Sequence, residues 1–275
     1  MKKLNVKLVE GFTEHGTPSL KYYAFDWDGN IMVMPTKIMV LDENGNEVAM
    51  STEDFAEHRV NLGKKPFEYK GHTIVGMDPT TAFRNFRTDG DDQFKVDVFK
   101  AKKGPVWNDF VEAINNGSIF SIITARGHSP QTLRDAVYNM IVMNFDGIDR
   151  KQLVKNLKKF RTFMDMENKS DKQLINDYLD MCKFYPVSHG ASVEANPEEA
   201  KVEAMKEFVS YVKQLSEELH QQARIKNLVM NRFLPTIGFS DDDLRNVELM
   251  KKKFEKEPDN ILQTYLTKGG VKKKY

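Results

Sequence analysis

Cysteine is nearly absent from this chain. Cys182 stands alone among 275 residues, so no disulfide forms within the chain and no cysteine-based zinc site can be assembled. Long apolar runs are missing too. The opening MKKLNVKLVEGF begins with lysines, but Lys7 and Glu10 interrupt it, and neither a secretory leader nor a membrane span is expected. Nor is there an excess of either charge. Lys and Arg number 41 against 40 Asp and Glu, which leaves no global field to draw nucleic acid. The lysines that do cluster, at 251–253 and 272–274, read as solvated, the last group as a tail. An intracellular, reducing setting follows, with Cys182 a core thiol in rhythm with Leu174, Tyr178 and Leu179. What remains is a composition of 40% hydrophobic and 29% charged residues, that of a soluble globular protein rather than a disordered one.

The apolar pattern alternates between strands and helices. Residues 4–9 suit a short strand. Lys21–Phe25 (KYYAF) is a stronger one and stops at Asp26-Trp27-Asp28-Gly29-Asn30. Residues 31–49 read as a hairpin broken at Pro35 and turning at DENGNE; 50–104 are mixed and loop-rich. Trp107, Phe110, Val111 and Ile114 have helical spacing, and Asn116-Gly117 closes that helix. Ser118–Ile123 is a buried-strand run ending in Thr124-Ala125-Arg126-Gly127, and a helix is expected from Pro130 to Val142. Two amphipathic stretches fill 150–182, a strand follows at 184–189, and Asn196-Pro197-Glu198-Glu199 starts a long helix. Pro235–Phe239 (PTIGF) is a further strand, ending in Asp241-Asp242-Asp243.

Three strands therefore end in polar side chains: Asp26 and Asp28, then Thr124, then Asp241 and Asp242. In a parallel α/β sheet such ends gather on one edge, where ligands bind. Several carboxylates cannot crowd one site at neutral pH without a cation to offset them. Magnesium, which takes a few oxygen ligands and a substrate phosphate, is the expected one. The Thr124 hydroxyl and the Lys201 ammonium suit a phosphate dianion. A carboxylate nucleophile, a second acid, a metal and a lysine make a phosphoryl-transfer set.

In that order the motifs resemble those of the haloacid-dehalogenase (HAD) superfamily. They are Phe25-Asp26-Trp27-Asp28-Gly29-Asn30, Ile122-Ile123-Thr124-Ala125-Arg126-Gly127, Lys201 at the start of its helix, and Gly238-Phe239-Ser240-Asp241-Asp242-Asp243. The resemblance implies an α/β fold: a three-layer, Rossmann-like parallel sheet with cap insertions. Residues 1–30 and 105–275 would form the core, 31–104 a cap-like insertion, and about 143–183 a helical insertion, with substrate contacts from both insertions. It implies Asp26 as nucleophile, Asp28 as general acid and base, and Thr124 and Lys201 as phosphate ligands. Magnesium would be held by Asp26, Asp28 (through its backbone carbonyl), Asp241 and Asp242. Lys206 and Lys226 remain rivals to Lys201, and the register of the three aspartates stays open, Asp243 being a candidate N-cap. Arg126 and His128 read as a solvated arginine and an ordinary loop histidine. Arg59, Arg84 and Arg87 are candidates for a second anionic group, with a solvated surface the preferred reading. The implied activity is hydrolysis of a small phosphorylated metabolite or nucleotide, because a cap that closes excludes polymers. A nucleic-acid end phosphatase and a non-catalytic binding or virion-associated protein are the alternatives. The AFDWDGN and GFSDDD contexts also resemble members encoded by tailed bacteriophages, which implies a host-cytoplasm or virion setting.

Overall fold

The computed structural model describes residues 10–12, 18–160, 168–190, 196–225, 234–256 and 261–275. The strand expected at 4–9 lies outside them. Five parallel strands form the centre: β1 (Pro18–Phe25), β2 (Phe120–Thr124), β3 (Lys183–Pro186), β4 (Leu234–Asp241) and β5 (Leu262–Leu266). Their spatial order is β3-β2-β1-β4-β5. Since β2 and β4 flank β1 on opposite sides, the order reverses at β1, and a crevice opens outside the carboxyl end of that strand.

A central parallel strand must be covered on both faces, and β2 is buried along its whole length. Phe120 and Ile122 join Phe25 on one face, and Ile123 joins Tyr22 and Ala24 on the other. The first face receives α1 (Trp107–Asn116), α2 (Pro130–Val142), α3 (Arg150–Phe160) and α4 (Asp171–Met181) through Phe110, Leu133, Leu157 and Tyr178. The second receives α5 (Pro197–Ile225) and α6 (Leu244–Phe254) through Phe208 and Met250. The helix ends follow their capping chemistry. Gly117 takes the left-handed conformation at φ 68° after α1, Ser129 caps α2 ahead of Pro130, and Asn196 accepts the Glu198 N–H at 3.0 Å to start α5.

Two expectations need correction. Among the described residues, 143–160 and 168–183 do not stand over the strand ends as a substrate-contacting insertion. Leu153, Leu157, Leu174 and Tyr178 belong to the same buried cluster as Phe120, so this stretch thickens the helical layer. The C-terminal lysines are not a free tail: Lys273 and Lys274 pair antiparallel with Leu266 and Tyr265 on β5, and Lys272 Nζ lies 3.0 Å from Asp109. Lysines along a sheet edge discourage further strand addition.

Residues 31–104 leave the central sheet, and the two ends of this segment are tied together in a separate two-stranded sheet, where Met32 and Val33 pair antiparallel with Lys103 and Lys102. Within this segment, Ile38–Asp42, Glu47–Met50, Phe67–Tyr69 and His72–Gly76 form a four-stranded antiparallel sheet, with the helix Thr52–His58 beside it. Its own small core is Val40, Val48, Met50, Tyr69 and Ile74. The second half turns back: the helix Asp91–Asp97 inserts Phe94 against Trp27, ring centroids 5.3 Å apart. Trp27, Met32 and Met34 are thus packing residues. Among the described residues, no helix is long and apolar enough to cross a membrane.

Candidate active site

The site forms where β1, β2 and β4 end. At the end of β1 the chain is pinned to β4: the Asp26 N–H donates to the Ser240 carbonyl at 2.9 Å. The buried Asn30 amide donates to the Asp26 carbonyl, the Ser240 carbonyl and the Ser240 hydroxyl, each at 3.0 Å. Thr267 donates to the other end of that amide at 2.8 Å. Between them Gly29 turns with φ 67°, and a Cβ there would collide with the Asp242 carboxylate. Glycine after the second aspartate therefore has two physical reasons, a left-handed backbone and the close approach of an acid.

Lys201, on the first turns of α5, joins the strand ends. Its buried ammonium donates to Asp26 Oδ1 and to Asp241 Oδ2, both at 2.8 Å. The rival Lys206 pairs with Glu203 at the surface, and Lys226 lies outside the described residues. Asp241 is fully buried; it also accepts the Asn246 amide at 3.1 and 3.0 Å and the Asp243 N–H at 2.9 Å. Asp243 caps α6 by accepting the Arg245 N–H at 3.0 Å. Asp26, Asp241 and Asp242 each offer a ligand oxygen, all within 4.8 Å of one another.

The electrostatics are those of a crowded acid cluster. Burial, then the neighbouring Asp241 and Asp28, outweigh Lys201 and push the Asp26 carboxyl up to about 8. Burial together with Asp241 and Asp26 holds Asp242 well above the carboxylate range. For Lys201, burial works against the charged form, but Asp241 and Asp26 more than offset it, and its pKa is raised. One cation is too few for these carboxylates, and oxygen-only donors suit a hard divalent ion such as magnesium. Among the described residues, Asn246 Oδ1 is a buried acceptor without a hydrogen-bond partner beside Asp241.

Thr124 is buried at the end of β2, and its hydroxyl oxygen accepts the Arg126 N–H at 3.3 Å. Arg126 itself overturns the solvated reading. It is 1% exposed, lies between the Phe86 and Phe94 rings at 4.6 and 4.9 Å, and forks both oxygens of Asp28 at 2.7 Å. His128, read as an ordinary loop histidine, is wholly buried. Its Nε2 lies 3.0 Å from Arg126 Nη1, and its Nδ1 lies 2.8 Å from Asp91. Arginine only donates, so Nε2 accepts and the ring proton sits on Nδ1, facing Asp91. Burial and the Arg126 charge keep this histidine's pKa below its ordinary value. A chain of Asp91, His128 and Arg126 therefore fixes Asp28 from behind. Nothing near Asp91 in sequence marks it as the partner of a histidine 37 residues on.

These residues open into a cavity of about 510 Å³ that contains Asp26, Asp28, Thr124, Lys201, Asp241 and Asp242. Its facing wall comes from the 31–104 segment, and among the described residues 143–183 contributes nothing to it. Arg59 reaches across to Glu198 and, at 3.2 Å, to Asp243. Arg84 pairs with Glu47 on the exposed surface. Arg87 lines the cavity.

The Arg126 fork yields a chemical prediction. If Asp28 protonates the leaving oxygen, displacing the fork hurts most where the leaving group is poor. If the chain is a phosphomonoesterase, Arg126→Lys should lower kcat on an alkyl phosphate by about 10²-fold, the lower end of the range for acid–base catalysis, and much less on p-nitrophenyl phosphate. Equal losses on both substrates would assign Arg126 a role in the fold alone.

Scans against protein-family models, curated proteins and solved structures each returned no match.

Proposed function

We propose that this chain is a magnesium-dependent phosphomonoesterase of the HAD type, acting through an aspartyl-phosphate on Asp26. The observation that carries the reading is the buried bridge from Lys201 to Asp26 and Asp241. It joins side chains 175 and 40 residues apart at the carboxyl edge of a parallel sheet. A purely structural site has no reason to gather three mutually repelling carboxylates under a ligand-sized cavity. The strand order, with the Thr124 and Asp241 strands on either side of the Asp26 strand, supports a HAD core, and the 31–104 segment then serves as its cap.

The roles follow from the chemistry of the groups. An Asp26 oxygen attacks phosphorus, the ester P–O bond breaks, and the leaving oxygen takes a proton from Asp28. In the second half Asp28 takes a proton from water as that water displaces Asp26, and inorganic phosphate leaves. Thr124 and Lys201 hold the phosphoryl oxygens. Asp26, Asp241 and Asp242, with the Asp28 carbonyl, would hold magnesium, which when bound offsets the carboxylates and the phosphoryl charge.

The test is phosphate release from a panel of nucleotides, sugar phosphates and 3′-phosphorylated oligonucleotides, with and without magnesium. Magnesium-dependent release from the small substrates is expected. Release from none of them would overturn the reading, and release only from the oligonucleotides would move it to a nucleic-acid end phosphatase.

A further inference from the structure

The cavity lining has two unlike parts. One is the acid cluster with Thr124 and Lys201. The other is apolar, formed by Ile38, Phe55, Met77, Pro79, Phe83 and Phe86 of the 31–104 segment. Phe83 stands edge-on to Phe55 and to Phe86, with ring centroids 5.4 and 6.2 Å apart. Phe55, Met77 and Phe83 are only partly buried, so a packed apolar cluster keeps open surface where it meets the cavity. These six side chains carry no nitrogen or oxygen to bond a hydroxyl group, and among the described residues Thr52 and Ser188 supply the only side-chain hydroxyls in the lining besides Thr124. A polyhydroxylated ligand would set its hydroxyls against carbon, where each unmade hydrogen bond is costly. A flat ring loses nothing there and gains edge and face contacts with phenylalanine.

The cations of the cavity add a second requirement. Lys201 is held by Asp26 and Asp241, Arg126 by Asp28, and Arg59 by Glu198 and Asp243. Arg87 differs: among the described residues, its guanidinium has no hydrogen bond or ion pair. Its backbone is fixed by a bridge to Gly127, and the residue is half-buried beside Phe86. A fixed, uncommitted guanidinium in the wall of the cavity that takes the phosphoryl group suits a second anion on the same molecule.

We infer that the substrate is a phosphomonoester built on a planar aromatic ring system and bearing a second anionic group. The ring lies among Phe55, Phe83 and Phe86, and the second anion lies on Arg87. This rests on the phosphomonoesterase reading and narrows it. A volume of about 510 Å³ is enough for a nucleotide-sized molecule, and the wall and Arg87, rather than the acid cluster, then set the choice of substrate.

Three compounds with the same primary-alcohol phosphate isolate the two features: ribose 5-phosphate, adenosine 5′-monophosphate and adenosine 3′,5′-bisphosphate. With magnesium, kcat/KM for phosphate release should rise about tenfold or more at each step, the scale set by one well-placed group. Phe83→Leu should shrink the first ratio, and Arg87→Gln should bring the second close to one. Equal kcat/KM for ribose 5-phosphate and the monophosphate would overturn the inference while leaving the hydrolase reading in place. So would variants that lower all three in proportion, or a 5′-phosphorylated oligonucleotide that outcompetes the monophosphate. No release from any of these, nor from p-nitrophenyl phosphate, defeats the hydrolase reading and this inference with it.

Discussion

Asp26→Asn should remove turnover, with kcat down by about 10⁴-fold or more as for loss of a covalent nucleophile, and should leave the ion-free fold more stable than the wild type. The second half of that expectation separates a lost nucleophile from a damaged protein. The Asp26 carboxyl is raised from 3.8 to about 8, chiefly by burial. A group whose folded pKa lies above its unfolded value stabilises the fold below the unfolded pKa, and that stability is lost as pH climbs through the folded value. The wild type without metal should therefore lose stability between about pH 4 and pH 8. Asparagine has no proton to lose, and its amide oxygen can still accept from Lys201. The Tm advantage of the variant should open across that interval and level off above it. Thermal melts at stepped pH in a chelating buffer, beside single-turnover assays with magnesium, supply both readouts. Activity near the wild-type level would remove Asp26 as nucleophile. A Tm below the wild type throughout would mean that the carboxylate stabilises the fold rather than straining it.

Much of this site is legible in the sequence because its parts are local signals. A run of apolar and aromatic residues that ends on Asp26 and Asp28 marks both a strand and the carboxylates at its end. PTIGF before Asp241 and SIFSII before Thr124 do the same, and a parallel sheet then brings such ends together. Asn196-Pro197 marks the start of the helix that carries Lys201. Even the choice among three aspartates has a local reason, since Asp243 accepts the Arg245 N–H and so serves as a cap.

The parts that escape are those made by contacts distant in sequence. Arg126 looks solvated because an arginine in a glycine-bounded loop usually is. Its burial depends on Phe86, Phe94 and Asp28, none of which is nearby in the chain. His128 needs Asp91, and the character of the facing wall depends on how an inserted antiparallel sheet is seated. Helices α3 and α4 carry ordinary amphipathic faces, and amphipathicity does not say which surface receives them. Strand β5, LQTYL, is short and half polar, so it shows as a strand only once β4 offers it an edge.

Lys201→Met should be the most damaging substitution to the fold as well as to the chemistry. Among the described residues, Lys201 is the one ammonium that Asp26 and Asp241 both contact, and it is almost fully buried. Removing one partner from a buried ion pair leaves an uncompensated charge and costs about 3–5 kcal/mol. The sign with pH is distinctive. Because Asp241 and Asp26 raise the Lys201 pKa despite burial, its contribution is complete below 10.5 and fades only in strong base. The wild-type and variant stabilities should therefore differ through the whole neutral range. The gap should narrow in acid, where Asp26, having lost that cation, is protonated. Magnesium should recover part of the lost Tm, since a divalent ion on Asp26, Asp241 and Asp242 neutralises the same cluster. It should not recover kcat, which also needs an ammonium on the phosphoryl oxygens. Lys206→Met is the control: that lysine sits five residues further along α5 and pairs with Glu203 at the surface, where a change within about 0.5 kcal/mol is usual. Chemical denaturation of both variants at acid and neutral pH decides the matter. If Lys201→Met is no less stable than Lys206→Met, the ammonium is not buried between two carboxylates, and the convergence on which the site depends is lost.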